Sequence, residues 1–112
     1  MYIGEVSKRS GLSVKAIRFY EEKELIRPPQ RLGRYRIYQE SDIEILLLIK
    51  EARQFGTTIS ELRGVIVYKN GEVDWKRIKD FLGQIKYRLN SQIEDLKKKI
   101  DKIDKCYKQI NL

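Results

Sequence analysis

The stretch Ser13–Tyr38, SVKAIRFYEEKELIRPPQRLGRYRIY, decides how the rest of this chain can fold. It opens on Ser13, whose hydroxyl can accept a hydrogen bond from a free amide in the first turn of a helix. Val14 and Ile17 are three residues apart and can face a core. The residues that fall on another face of the same helix are Lys15, Arg18, Phe19 and Glu22. The pattern predicts an amphipathic helix with a largely charged outer side.

A basic hairpin follows this helix. No acidic residue lies between Leu25 and Gln39, and the same segment holds four arginines: Arg27, Arg31, Arg34 and Arg36. Pro28-Pro29 stops any helix and favours extended backbone. Gly33-Arg34 then forms the centre of a hairpin, where glycine in the first position suits a tight turn of type II′. A cationic helix face next to a cationic hairpin carrying tyrosines fits DNA, which offers a groove flanked by phosphates.

Upstream of this stretch the sequence supplies a second helix and a tight turn. Ile3–Arg9 is a short amphipathic helix candidate with Ile3 and Val6 facing inward. Gly11 can adopt the left-handed conformation that ends a helix, and Leu12 fills the turn before Ser13. This order predicts a helix-turn-helix, and the basic hairpin is then its wing.

Two capping boxes organise the segment after the wing. Ser41-Asp42-Ile43-Glu44 is expected to start a helix whose apolar positions form the core of the domain: Ile45, Leu46, Leu48, Ile49 and Ala52. Gly56 should end that helix. Thr58-Ile59-Ser60-Glu61 is a second box, opening a helix through Leu62, Val65 and Ile66. Asn70-Gly71 is expected to end this second helix.

A single long helix is predicted from Asp74 to Ile110. Its apolar residues recur every three or four positions and are Ile78, Leu82, Ile85, Leu89, Ile93, Leu96, Ile100, Ile103, Tyr107 and Ile110. This spacing is typical of a coiled-coil seam, with one extra step of four between Leu89 and Ile93. A rod of roughly 55 Å cannot bury such a stripe on a small domain. We therefore expect a homodimer, the alternative being a helix folded back on its own domain.

Composition narrows the function further. The chain has 112 residues, a net charge of +8 and a pI near 9.6, which fits a nucleic-acid partner. With one cysteine and no histidine, an internal disulfide and a site of several cysteine or histidine ligands are both excluded. No cofactor is expected. Neither a membrane span nor a signal peptide is visible, so the default expectation is a cytoplasmic protein.

The chain resembles the MerR family of transcription regulators. The resemblance is carried by four segments: Ile3–Ser7 with Gly11–Ser13, Ala16–Glu21, Tyr35–Tyr38 and Ala52–Gly56. It implies a mainly α fold with a winged helix-turn-helix domain bearing a small two-stranded wing, then a second helix pair and a long C-terminal dimerisation helix. The expected domains are residues 1–70 for DNA binding and residues 71–112 for dimerisation.

The resemblance also implies a mechanism and a set of DNA-binding residues. A homodimer binds double-stranded, pseudo-palindromic promoter DNA with an overlong spacer, and an effector makes it distort the DNA for RNA polymerase. The residues expected to contact DNA are Ser13, Lys15, Arg18, Phe19, Tyr20, Arg31, Arg34, Tyr35, Arg36, Tyr38 and Arg53. Two of these keep an alternative role, because Tyr20 can be mainly core and Tyr38 can pack under the wing.

The chain departs from the family pattern in three places. The wing tip is Gly33-Arg34 where family wings often carry Asn-Gly, with one residue fewer around it. Glu24 stands where many members have glycine, at a cost of about 1 kcal/mol if its backbone is left-handed. Cys106 is the only cysteine, so sensing of copper, zinc or mercury by a cysteine pair is not expected. In an antiparallel dimer Cys106 would lie near the partner's Trp75, either as an incidental thiol or as a redox or effector site.

Two function classes stay open at this point. One is a sequence-specific transcription regulator, and the other is an architectural or accessory DNA-binding protein of the excisionase type. The long apolar seam favours the regulator, because small accessory proteins usually lack it. An enzyme is not expected, since no nucleophile–base pair and no phosphate-cradling glycine loop is visible.

Overall fold

The computed structural model describes all residues, 1–112. It contains five helices and two small antiparallel hairpins. In chain order they are α1 (Ile3–Ser10), α2 (Val14–Glu22), β1 (Gln30–Leu32), β2 (Tyr35–Ile37), α3 (Glu40–Gln54), α4 (Ile59–Val65), β3 (Tyr68–Lys69), β4 (Glu72–Val73) and α5 (Trp75–Gln109). The chain divides into two units, residues 1–77 and 78–112. The predicted mainly α fold with a winged helix-turn-helix and a long C-terminal helix is confirmed.

The helix-turn-helix forms as the sequence predicts. Gly11 ends α1 in the left-handed conformation with φ of 72°, and its amide donates to the Ser7 carbonyl. The Ser7 hydroxyl donates to the Leu12 carbonyl at 2.6 Å, which fixes the turn. Ser13 caps α2, its hydroxyl accepting from the Ala16 amide at 3.0 Å. The Leu12 amide also donates to the Ser10 hydroxyl at 3.2 Å, so the turn is held by backbone conformation and three short-range side-chain bonds.

One core joins α1, α2, α3 and the end of the wing. Its fully buried apolar side chains are Val6, Ile17, Leu25, Ile26, Tyr38, Ile45, Leu46, Ile49 and Ala52. The Tyr38 amide donates to the Met1 carbonyl at 2.7 Å, so the start of the chain is bonded to the end of β2. Helix α2, the recognition helix of the helix-turn-helix, and the wing thus pack on the same hydrophobic core.

The start of α3 differs from the prediction. The cap is Gln39, not Ser41, and the carboxylate of Asp42 accepts from the Gln39 amide at 2.8 Å. Ser41 instead accepts a hydrogen bond from the Arg27 guanidinium at 3.0 Å. Serine is a strong capping residue, but Asp42 is buried and lies 3.5 Å from Arg27 Nε. The Asp42 carboxylate therefore takes part in both the helix cap and a tertiary ion pair.

The segment after α4 also differs from the prediction. The Thr58–Glu61 capping box does open α4, but α4 ends at Val65, before Asn70-Gly71. Those two residues form the turn of the hairpin β3–β4, with φ values of 53° and 79°. Asn-Gly at a two-residue turn is a strong hairpin signal. The strands beside it are too short to be recognised from the sequence, so the hairpin was not predicted.

The long helix α5 runs over 35 residues, and the Asp74 carboxylate accepts from the Arg77 amide at its start. Of the ten residues expected to form the dimer seam, Ile78 and Ile85 are already buried within a single chain, and Ile110 lies just beyond the helix end. The later seam residues, from Leu89 onward, are exposed. No helix is long and apolar enough to cross a membrane.

Glu24 offers a test of the backbone at the end of α2. It has φ of 62°, and the Leu25 amide donates to the Tyr20 carbonyl in the bonding pattern of a left-handed helix end. We expect Glu24→Gly to raise the free energy of unfolding by about 1 kcal/mol, because glycine removes the side-chain clash. Its exposed ion pair with Arg63 contributes little. Urea denaturation measures the change, and Glu24→Ala, which keeps the clash, should bring no gain.

Candidate nucleic-acid interface

The outer face of α2 presents cationic side chains to solvent. Lys15 and Arg18 are exposed and make no ion pair within the chain. Phe19 is also exposed, and the Lys23 ammonium lies 5.6 Å from the centre of its ring. Ile17 on the opposite face is fully buried and holds the helix in place. A helix anchored on one side and cationic on the other is suited to a DNA major groove.

The wing is a two-residue hairpin with basic side chains on both strands. Gly33 has φ of 63° and Arg34 is not at positive φ, which fits the expected type II′ turn. Arg31 on β1 lies directly opposite Arg36 on β2. Like charges at such a position repel each other. The two arginines therefore repel each other, and a bound polyanion would reduce this repulsion.

A single carboxylate ties the wing to the recognition helix. Arg36 Nε donates to Glu21 Oε1 at 3.1 Å, and the Tyr38 hydroxyl donates to Glu21 Oε2 at 3.2 Å. Glu21 lies on α2, whereas its two partners lie in or next to β2. Burial, followed by the Glu21 charge, raises the pKa of Tyr38 to about 12. The three side chains fix the wing against α2.

This arrangement shows the surroundings of two residues that the sequence predicts as DNA contacts. Tyr38 is 1% exposed, so its ring packs under the wing and is not available to a phosphate. The structure thus favours the packing alternative. Arg36 is partly buried and already has a carboxylate partner. Its predicted DNA contact would have to come from guanidinium nitrogens that Glu21 does not use.

The remaining predicted contacts are spread over α2, the wing tip and the end of α3. Arg31, Arg34 and Tyr35 are exposed on the wing, while Tyr20 is half-buried with its ring 5.7 Å from Phe19. Arg53 is exposed and donates to the Thr57 carbonyl at 2.5 Å. Ser13 uses its oxygen as a helix cap, and its hydroxyl proton remains able to donate.

Sequence reasoning missed two supports of this surface. Tyr2 packs against Tyr35 with ring centres 5.6 Å apart, and the pair braces the wing from the N-terminal side. Arg9 makes a double hydrogen bond to Glu40, at 2.5 and 2.6 Å, which joins α1 to the first turn of α3. Both contacts span more than 30 residues, and neither leaves a periodic signal in the sequence.

A third missed support is Arg27, the first arginine of the acid-free run. Its guanidinium donates to the Gly71 carbonyl at 2.9 Å, to Ser41 and to Gln39, and it pairs with Asp42. Four groups of the protein thus contact this guanidinium, which gives Arg27 a structural role. It fastens the hairpin β3–β4 to the start of α3.

Comparison with known proteins identifies this arrangement. The family model described as "MerR HTH family regulatory protein" matches residues 1–69. The chain belongs to the MerR family. A probable heavy metal-dependent transcriptional regulator of Haemophilus influenzae is 37% identical over 92% of this chain and 82% of its own. The regulator CueR of Yersinia pestis is 49% identical, but the match covers 59% of this chain and 48% of CueR.

Solved structures show the same fold. The N-terminal part of MtaN, the Bacillus subtilis multidrug transporter activator, superposes with a TM-score of 0.69 over 96% of this chain and 97% of that structure, at 23% identity. HiNmlR, a MerR family regulator lacking the sensor domain and bound to promoter DNA, gives a TM-score of 0.62 over 90% of this chain and 78% of that one, at 19% identity. The family to which this chain belongs is thus one of helix-turn-helix regulatory proteins.

Arg18 provides the test of the recognition face. We expect Arg18→Ala to weaken DNA binding by about 1–3 kcal/mol, because a groove or phosphate contact is lost. The circular dichroism spectrum should not change, since the side chain is exposed and unpaired. Titration of labelled operator DNA measures the loss. Lys102→Ala on α5 removes the same charge from the other unit and serves as the control; equal losses for both variants would contradict a specific role for Arg18.

Proposed function

We propose that this MerR-family protein acts as a homodimer that binds a pseudo-palindromic promoter and distorts an overlong spacer between the promoter elements. Residues 1–70 read the DNA, and residues 71–112 pair two copies. The observation that carries the proposal is that one chain holds a recognition face and, on a separate unit, a long helix with an uncovered apolar stripe. A second copy would cover the stripe and supply the second recognition face.

The DNA-reading part rests on side chains that have no partner within the chain. Lys15 and Arg18 on α2, with Arg31 and Arg34 on the wing, are exposed cations without an internal carboxylate. Lys15 and Arg18 would face the groove, and Arg31 and Arg34 would contact the DNA backbone beside it. Glu21 holds the two sets in one fixed arrangement through Arg36 and Tyr38.

The pairing part rests on exposure along α5. Leu89 and Ile93 are 41% and 48% exposed, and the fraction reaches 65% at Ile103 and 78% at Tyr107. Several large apolar side chains in one row are rarely left in water by a stable monomer. A row spaced for helix pairing is best covered by another helix of the same kind.

The distortion follows from geometry and energy together. Two recognition faces fixed to one paired helix can engage two half-sites only at one separation. Bending or untwisting the DNA between them costs several kcal/mol, which contacts with the backbone at both ends can offset. RNA polymerase at the promoter would then use the realigned elements. The protein would repress or activate according to the length of the spacer.

The proposal names no effector. Metals are named for relatives of this chain, such as the lead-bound PbrR691 of Ralstonia metallidurans, at 24% identity. Zinc and softer metals are usually held by several thiolate or imidazole ligands. These 112 residues hold one cysteine and no histidine. An accessory DNA-binding role remains the second function, and a monomer in solution would favour it.

Pairing through α5 can be tested with charge. Leu96→Glu together with Ile100→Glu should convert the protein to a monomer, because unpaired carboxylates would lose their hydration in the seam. Multi-angle light scattering gives the mass. The control is Lys98→Glu together with Lys102→Glu, on charged positions of the same helix, which should remain a dimer. A dimeric seam variant would show that pairing uses another surface.

The distortion mechanism can be tested with promoter length. On a promoter with an overlong spacer the protein should activate transcription, with no protected bases at the centre of the site. After shortening of the spacer to the ordinary length it should repress, because the same distortion now misaligns the elements. Run-off transcription and footprinting on both templates measure this. Equal activation of both templates would refute the distortion and favour a simple recruitment mechanism.

A further inference from the structure

A cleft of about 470 Å³ lies within the first unit of the chain, between the start of α3, the hairpin β3–β4 and the first residue of α5. Sites for small molecules are commonly clefts of roughly 300–1,000 Å³. We propose that this cleft binds a small organic cation of the substituted ammonium class. None of the residues that line it is among the predicted DNA contacts, so the inference goes beyond the proposed function and does not depend on it.

The charge of the cleft is opposite to that of the whole chain. The protein has a net charge of +8, yet the cleft is lined by three carboxylates and one guanidinium, an excess of two negative charges. The guanidinium, Arg27, is paired with the buried carboxylate of Asp42. Glu44 and Glu72 are exposed and make no ion pair within the chain. Two carboxylates are therefore available to a cation.

Two aromatic side chains, Tyr68 and Trp75, also line the cleft. Trp75 is 45% exposed, and the Tyr68 hydroxyl donates to the Leu25 carbonyl at 3.3 Å, which engages its polar end inside the protein. The faces of such rings attract ammonium groups, and the indole ring does so most strongly. No group of three acidic or thiol side chains is placed to hold a metal ion. An organic cation therefore suits this lining better than a metal ion does.

The hairpin wall of the cleft is held in place without the two free carboxylates. Arg27 donates to the Gly71 carbonyl at 2.9 Å, across 44 residues of sequence. Lys69 lies directly opposite Glu72 in the hairpin, but its ammonium pairs with Asp74 at 3.4 Å. The wall is thus formed before a ligand binds, which lowers the entropy lost on binding.

Choline tests the proposal on the full chain, without DNA. Trp75 is the only tryptophan, so its fluorescence reports on the cleft. We expect choline to change this fluorescence along a curve that saturates in the millimolar range. The neutral analogue of choline, in which a tert-butyl group replaces the trimethylammonium group, should give no such change. Sodium chloride at the same concentration controls for ionic strength.

Variants test whether the named side chains hold the cation. Glu44→Gln together with Glu72→Gln should weaken choline binding about tenfold, because each exposed ion pair contributes at most a few-fold. The matched control is Glu22→Gln together with Glu51→Gln, which removes two exposed carboxylates outside the cleft and should bind choline as the wild type does. Trp75→Leu, followed by ligand-observed NMR, should weaken binding by about tenfold or more.

Each outcome decides for or against the cleft. Saturable binding of choline that is weakened only in the cleft variants supports the proposal. An equal response to the neutral analogue would refute a cation site. No saturable response to choline, or equal weakening in the cleft and control variants, would refute the site itself, provided that circular dichroism shows each variant folded. Because neither DNA nor pairing enters the measurement, all these results leave the proposed homodimer untouched.

Discussion

The two hydrogen bonds that Glu21 accepts from the wing are the constraint on which the arrangement of α2 and the wing depends. A recognition helix and a hairpin are separately placed pieces of chain, joined here through Pro28-Pro29, and a flexible joint would let them move independently. Glu21 removes that freedom by accepting from Arg36 and from Tyr38 at once. The carboxylate is only 17% exposed, so water competes weakly for it. The position of the wing relative to α2 is thereby fixed within the single chain.

Short-range sequence signals were enough to predict the helices and turns around the Glu21 contact with the wing. Gly11, Ser13 and the Thr58–Glu61 box each act within four residues, and each behaves in the structure as its chemistry predicts. The long helix α5 could be predicted equally well, because its apolar residues recur at the same spacing many times. The family could be recognised for the same reason, since its segments combine such local signals in a fixed order.

What the sequence did not reveal depends on contacts between distant residues. Arg27 looked like one more cation in a basic run, yet its guanidinium contacts Gly71, Ser41, Gln39 and Asp42. Arg36 and Tyr38 were predicted as DNA contacts, and the carboxylate to which both donate a hydrogen bond lies 15 and 17 residues away. Side-chain identity shows which groups can bind an anion. Only the fold shows which of them are still free to do so.

The opposed arginines of the wing have a consequence for how binding depends on solution conditions. Arg31 faces Arg36 across the hairpin, and Glu21 neutralises only one of them. The hairpin's backbone pairing therefore holds two positive charges close together against their mutual repulsion. Any multivalent anion that binds to the wing would reduce the repulsion between these arginines, whether or not the anion belongs to DNA. Buffers containing phosphate or sulfate would thus compete with operator DNA more strongly than chloride at the same ionic strength.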